Sequence, residues 1–273
     1  AFENPSTTGE NIVHGVNHAS GASGILDETG SVAGEVITLS QQIKNFEEVT
    51  LPGLEVQLGN NARELLEDYL FVVGSGGNDY SFNYFVNPTK SNVSLQVFTA
   101  NLTRTLSHHL QKLYELGGRK FVLMSINPIG CSPLLKLNKL VAVNSCLQGL
   151  NKAAHLFNTH LVSLIDDLKL QMPASSLVFV NSYKIIRDIL RDPLSKGFSD
   201  KNNPCCEVVP RMEGGNGVLC KENGVVCKNR SLHVYFDGLH PTEAVNVQIA
   251  TRAYTSNRAS EVYPFNIKQL SIM

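Results

Sequence analysis

The chain has no long apolar run, no block of like charge and no cysteine pairs at metal-ligand spacing, and each absence removes a class of function. No stretch approaches the roughly 18 consecutive apolar residues of a membrane-spanning helix, so no integral membrane segment is expected. Lys and Arg number 23 against 24 Asp and Glu, a formal net charge of -1 with neither a basic patch nor an acidic tail. Nothing electrostatic therefore argues for nucleic acid or an anionic lipid surface as partner. There is no internal repeat and no low-complexity stretch. The opening residues, Ala1-Phe2-Glu3-Asn4-Pro5, show neither an initiator Met nor the charged-then-apolar pattern of a signal peptide. They read either as the interior of a longer chain or as a processed mature terminus. With 42% hydrophobic and 17% charged residues over 273 positions, the chain is ordinary for a folded protein and long enough to bury a substantial core.

What is present begins with cysteine. Six occur, Cys131, Cys146, Cys205, Cys206, Cys220 and Cys227, all in the second half. A structural zinc site wants paired Cys-x-x-Cys or Cys/His ligands at short fixed spacing, which adjacent Cys205-Cys206 does not supply. Four of the six lie in a loop from 202 to 230 rich in Gly, Asn and charge. An even count in such a loop reads as a disulfide framework holding an insertion. Cys131 with Cys146 is the one pair that suggests itself, as a short loop closure. The other pairings stay open. Sequons at Asn92-Val-Ser94, Asn101-Leu-Thr103 and Asn229-Arg-Ser231 agree with an oxidising compartment, so a secreted, extracellular protein is expected.

Hydrophobic periodicity organises the rest. Leu70-Phe-Val-Val-Gly74 reads as a buried strand, followed by a loop from Gly74 to Lys90. Leu95, Phe98, Leu102, Leu106, Leu110, Leu113 and Leu116 recur at three- and four-residue steps, and Gly117-Gly118 closes that helix. A second apolar strand, Lys120 to Ser125, leads into the turn-rich Asn127-Pro-Ile-Gly130. A second long helix carries Leu147, Leu150, Ala154, Phe157, Leu161, Leu164, Ile165 and Leu168 and stops before Pro173. Leu177 to Val180 is a third strand, and a shorter helix through Ile185, Ile186, Ile189 and Leu190 ends near Pro193. Short apolar strands alternating with long amphipathic helices predict βαβ units and a parallel sheet covered on both faces. In such sheets ligands bind at loops on the carboxyl ends of strands, where the segments after Gly74 and Ser125 fall.

Three segments could carry chemistry. In Asp237-Gly-Leu-His240-Pro241-Thr, three-residue spacing in a tight turn lets the carboxylate reach Nδ1 of the histidine, which leaves Nε2 free as a base. Pro241 keeps His240 out of the helical region and at the lip of a turn, ahead of a helix over 242–256 with Val245, Ile249 and Ala253 on one side. By itself such a pair is also what an Asx-turn and a helix cap look like. Gly74-Ser-Gly-Gly-Asn78-Asp79-Tyr80 is a glycine-rich run at a strand end, where an Asn amide can donate to a developing oxyanion. It lacks the Gly-Lys-Ser/Thr ending of a phosphate loop, so nucleotide is not expected. Gly15-Val-Asn17-His-Ala-Ser20-Gly21-Ala-Ser23-Gly24 is dense enough in small residues to expose backbone N–H groups.

In order and wording these segments resemble blocks II, III and V of the SGNH hydrolases, and in particular the plant GDSL esterase/lipase branch. Asn17 to Gly24 stands for the second block, Gly76-Gly-Asn78-Asp79 for the third and Asp237 to Thr242 for the fifth. Leu113-Tyr-Glu-Leu-Gly117, Pro128-Ile-Gly-Cys131, Leu150-Asn-Lys-Ala-Ala154, Cys205-Cys206 and Cys227-Lys-Asn-Arg230-Ser match the branch as well, so the resemblance covers nearly the whole chain. It implies one flavodoxin-like domain over 1–273, a three-layer α/β/α sandwich with a mostly parallel sheet. It also implies Ser-His-Asp chemistry on a small-molecule or lipid carboxylic ester, with no cofactor and no metal. His240 would be the general base, Asp237 its orienting partner, and the Asn78 amide and Gly21 N–H the oxyanion donors. An acyl-enzyme so formed could also pass its acyl group to an alcohol.

The resemblance has departures. Ala22 stands where the second block usually has a second Gly, which makes Gly24 the fallback for Gly21, and His18 stands in place of an aromatic, with a structural role expected. No Gly-Asp-Ser occurs in these residues, so the chain offers no nucleophile. In the family that serine follows the first, central strand, which the resemblance would put ahead of Ala1. The domain is accordingly expected to be incomplete at its start, with that strand missing. The alternative reading is a non-catalytic truncated product or pseudoenzyme that binds esters or partners without turnover. The paired histidines His108-His109 and His155/His160 are expected to be structural or solvated.

Overall fold

The computed structural model describes residues 1–59, 62–87 and 92–273. The end of the expected Gly74–Lys90 loop, from residue 88, lies outside the described residues. Along the chain come α1 (Leu39–Asn45), α2 (Leu51–Leu58), α3 (Ala62–Leu65), β1 (Leu70–Val73), α4 (Leu95–Glu115) and β2 (Lys120–Met124). They are followed by α5 (Pro133–Leu137), α6 (Gln148–Gln171), β3 (Ser176–Val180), α7 (Ser182–Arg191) and β4 (Asp200–Pro204). Last are β5 (His233–Tyr235), α8 (Glu243–Thr255), β6 (Val262–Tyr263) and α9 (Ile267–Leu270). The fold is mixed α/β, with sheets flanked by helices, as expected for a flavodoxin-like SGNH arrangement. No helix among the described residues is long and apolar enough to cross a membrane.

Contacts divide the chain into two compact units. The first comprises Ala1–Met124, Thr159–Phe179 and Gln269–Met273. Its strands β1 and β2 run parallel, in a register that sets Leu70 opposite Lys120 and Val73 opposite Leu123. Both therefore end on the same side, and the Gly74–Asn78 loop leaves from there. In β2, Phe121, Val122 and Leu123 are fully buried, as the apolar run predicts. Strand β1 departs from expectation. Leu70 is 42% exposed and Val72 63%. Leu70 and Val72 point to the same face of β1, which is the less covered one, and among the described residues β1 is the end strand of its sheet.

Helix α4 shows how local sequence writes a local structure. Ser94 caps it by accepting from Val97 N–H (3.3 Å), and Phe98, Leu102, Leu106, Leu110 and Leu113 form its buried stripe. At its end Gly117 takes φ +114°. Its N–H donates to Tyr114 O, and Gly118 N–H donates to Leu113 O, both at 3.0 Å. This is a Schellman closure, which favours glycine because the left-handed backbone crowds a Cβ.

The second unit comprises Ser125–Asn158 and Val180–Lys268. Strands β4 and β5 pair in parallel, Asp200 opposite His233 and Pro204 opposite Tyr235. Asn202, expected in the insertion loop, thus belongs to a strand. Leu147, expected on the second long helix, precedes α6 and is exposed; its N–H donates to Gly130 O (2.7 Å).

All six cysteines are bonded. Cys131 pairs with Cys146, Cys205 with Cys227 and Cys206 with Cys220. In an extended chain successive side chains point to opposite faces, so two adjacent cysteines reach two different partners. Backbone bonds fix the arrangement: Cys227 N–H donates to Cys205 O (2.7 Å), and Cys206 forms an antiparallel bridge with Val226.

Candidate active site

The sequence-derived residues fall into two constellations, one in each unit. In the second unit, β5 leads into the turn Asp237-Gly238-Leu239-His240, and α8 follows. The two oxygens of Asp237 do separate work. Oδ1 accepts from Leu239 N–H (2.8 Å) and His240 N–H (2.7 Å), closing an Asx-turn. Oδ2 accepts from His240 Nδ1 at 2.7 Å. The turn motif and the carboxylate–imidazole contact are thus one structure. Around it, Phe236 N–H donates to His240 O (2.8 Å), and Thr242 is tied to Val234 and His233 through its N–H (2.9 Å) and hydroxyl (2.7 Å). Gly238 N–H donates to Val218 O, and Gly238 O accepts from Leu134 N–H at the start of α5. A side chain at Gly238 would collide with the backbone of Gly217 and Val218, so the turn needs glycine there.

The electrostatics are those of an oriented base. Asp237 is only 9% exposed in its side chain, while the His240 ring is 60% exposed. Burial pushes the Asp237 carboxyl up, but bonds from the His240 ring and from two N–H groups outweigh it, and its pKa lies below the ordinary carboxylate value. The hydrogen bond to Asp237 raises the pKa of His240 against the effect of burial. The ring borders a cavity of about 260 Å³ lined also by Arg230, Ser231, Phe236 and Glu243.

The second constellation lies in the first unit. Ser20-Gly21-Ala22-Ser23 is a tight turn in which Ser23 N–H donates to Ser20 O (3.4 Å) and Ala22 adopts φ +64°. Alanine therefore occupies a left-handed position that glycine takes without strain. Nothing crowds the Cα of Gly21. Gly24 differs: a Cβ there would strike the Asp79 carboxylate and Thr29, so Gly24 serves close packing. Asn78 donates Nδ2 to Ser23 O at 2.9 Å. That bond uses one amide hydrogen, orients the side chain and leaves the second hydrogen available.

Asp79 is the residue that sequence reasoning passed over. It is fully buried, and its carboxylate accepts from Ile25 N–H (2.8 Å), Leu26 N–H (3.0 Å) and Thr29 Oγ1 (2.8 Å). Burial pushes its pKa up, opposed by these donors. Asn78 and Asp79 together fasten the glycine-rich loop. His18 is packed among aromatic rings, as a structural role would have it, but its Nδ1 is buried with no hydrogen-bond partner among the described residues. It stacks on Phe2 (5.0 Å between ring centres), meets Phe46 edge-on and lies 3.2 Å by Nε2 from Thr50 Oγ1. Burial lowers its pKa. His109, read as background, is also lowered by burial, against the charge of Asp27 and the backbone of Ile25 in the same loop.

Comparison with known proteins places the chain in a family. The profile of the GDSL-like Lipase/Acylhydrolase family matches residues 2–253. GDSL esterase/lipase At4g16230 of Arabidopsis thaliana is 36% identical over 273 residues, covering 98% of this chain and 73% of that protein. GDSL esterase/lipase At5g08460 of the same plant is 37% identical over 277 residues, covering 99% of this chain and 71% of its own length. GDSL esterase/lipase At1g29660 is 34% identical over 271 residues. The chain belongs to the GDSL-like lipase/acylhydrolase family of hydrolases.

Proposed function

We propose that the protein hydrolyses carboxylic esters of small molecules or lipids by serine acyl-enzyme chemistry, with His240 as general base and Asp237 as its orienting partner. The observation that carries this reading is the 2.7 Å Asp237–His240 contact in a turn whose other carboxylate oxygen is already committed to backbone. In the first step a serine Oγ–H gives its proton to His240 Nε2 while Oγ bonds to the ester carbonyl carbon. The Asn78 amide and Gly21 N–H stabilise the resulting oxyanion. Collapse breaks the carbon–oxygen bond to the alcohol, which leaves with the proton from His240. Water, activated in turn by His240, releases the acid. An alcohol in place of water gives acyl transfer.

The serine in this reading is that of the family's Gly-Asp-Ser block, which these 273 residues do not contain. The alternative is a non-catalytic protein that binds esters without turnover. Labelling the full-length gene product with a serine-directed fluorophosphonate separates the two. Catalysis predicts a label on a Gly-Asp-Ser serine and esterase activity lost in His240→Ala. No label, together with activity indifferent to His240→Ala, would sink the catalytic reading. The three disulfides and the exposure of Asn92, Asn101 and Asn229 support a secreted glycoprotein; a mass shift on treatment with N-glycosidase tests this.

A further inference from the structure

The second unit holds another cavity, of about 460 Å³, whose walls carry an excess of positive charge. Five cations border it: Lys136 from α5, Lys184, Arg187 and Arg191 from α7, and Lys201 from β4. One carboxylate among the lining residues answers them, Asp188, and it is engaged by Lys184 and Arg191. The other three cations rest on neutral groups. Lys136 Nζ donates to Asn202 Oδ1 (2.8 Å) and Lys201 Nζ to Leu190 O (3.0 Å). Arg187 Nη1 faces the sulfurs of Cys131 (3.4 Å) and Cys146 (3.8 Å), which are poor acceptors. Nearby Asp200 does not neutralise them by contact, because its oxygens accept from Asn202 N–H (2.8 Å) and from Asn203 N–H (2.8 Å) and Nδ2 (2.9 Å).

Like charges held around a concave wall repel one another and focus a positive field into the space between them. Lys136 is pushed down to about 8, first by burial and then by the charge of Lys201, against the charge of Asp200. An oxyanion in the cavity would relieve the repulsion. The Cys131–Cys146 bridge in the wall ties the segment before α5 to the one before α6, so the guanidinium of Arg187 has a fixed backing. The volume falls in the roughly 300–1,000 Å³ range of small-molecule sites. The remaining lining, Asn144, Ser145 and Tyr183, offers hydrogen-bonding groups to a hydroxylated body.

We propose that this cavity binds a small organic oxyanion with a hydroxyl-rich body, a sugar phosphate or sugar carboxylate, through Lys136, Arg187 and Lys201. The site is separate from the candidate catalytic turn and does not depend on the ester hydrolase reading. The test is calorimetric titration of the full-length gene product at low ionic strength with glucose 6-phosphate, glucuronate, inorganic phosphate and glucose. The expected result is submillimolar binding of one of the two organic anions, weaker binding of phosphate and none of glucose. Lys136→Gln/Lys201→Gln and, separately, Arg187→Gln should each weaken binding by about tenfold or more while leaving the thermal melting curve in place. The preference between glucose 6-phosphate and glucuronate identifies which anionic group the site takes. Phosphate binding as tightly as either organic anion overturns the assignment to an organic ligand. Failure of every anion to bind below roughly 10 mM, or binding indifferent to both variants, overturns the site itself.

Discussion

The Asp237–His240 turn and the Asn78–Asp79 clamp are built at opposite scales of chain separation. In the turn, every bond made by the Asp237 carboxylate spans two or three residues. In the clamp, the bond that Asn78 donates to Ser23 and those that Asp79 accepts from Ile25, Leu26 and Thr29 span 50 to 55 residues. The carboxylate bonds of the turn are local, although the turn itself is also held by distant segments at Gly238. The clamp exists only when the first unit is folded, and its carboxylate is then shut away from water. Substitution of Asp237 should therefore be read in activity, and substitution of Asp79 in stability.

The largest effect should come from Asp237→Asn in the full-length gene product. Losing the partner that fixes the His240 tautomer should lower kcat/KM by roughly 10³–10⁴-fold, with little change in melting temperature. A comparable loss of stability would break the contrast. The acidic limb of the pH profile sharpens it. His240 must be neutral to act as base, and its pKa is raised by Asp237, so activity should rise only above the ordinary histidine value of about 6.5. Asp237→Asn should move that limb to lower pH. The sign for stability is the reverse. The pair's contribution through His240 is fully present below about pH 6.5 and fades as pH rises through the raised pKa.

Next in size is Asp79→Ala. It strips two buried donors and one part-buried donor of their acceptor and should cost about 3 kcal/mol in denaturant unfolding. A loss below about 1 kcal/mol would mean that the loop holds without the clamp. Cys205→Ser/Cys227→Ser opens a bridge of sequence separation 22 and should cost about 3 kcal/mol by chain entropy, measured as a fall in urea midpoint. The smallest effect is expected at Ala22→Gly. Relief of the left-handed backbone should exceed the entropy gained by the unfolded chain, for a net stabilisation of about 0.5 kcal/mol.

The same difference in scale governs what the sequence reveals. The buried stripe and glycine closure of helix α4 are local patterns and were legible, whereas its cap at Ser94 was not read. The Asp237–His240 pair was legible too, because three-residue spacing in a turn already limits where the carboxylate can go. Asp79 could be named as part of a family block but not given a role, because nothing local says that an acidic residue after Asn78 will meet Ile25 and Leu26. The exposure of Leu70 and Val72 was missed for a related reason. An apolar run reports that a segment suits a sheet, whereas burial depends on what lies beside it. Which of Cys220 and Cys227 each neighbouring cysteine takes is likewise decided by strand pairing, and spacing alone carries no such information.

That cysteine arrangement has a consequence for making the protein. A swapped isomer, Cys205 with Cys220 and Cys206 with Cys227, closes loops of nearly the same size as the native one, so loop entropy scarcely tells them apart. Selection between them falls to the bridge of Cys206 with Val226 and the bond from Cys227 N–H to Cys205 O, both of which form only once Val226 and Cys227 lie beside Cys205 and Cys206. Oxidation that outruns this pairing traps the wrong partner. A host that can reshuffle thiols, rather than one that merely oxidises them, is the one expected to yield native protein.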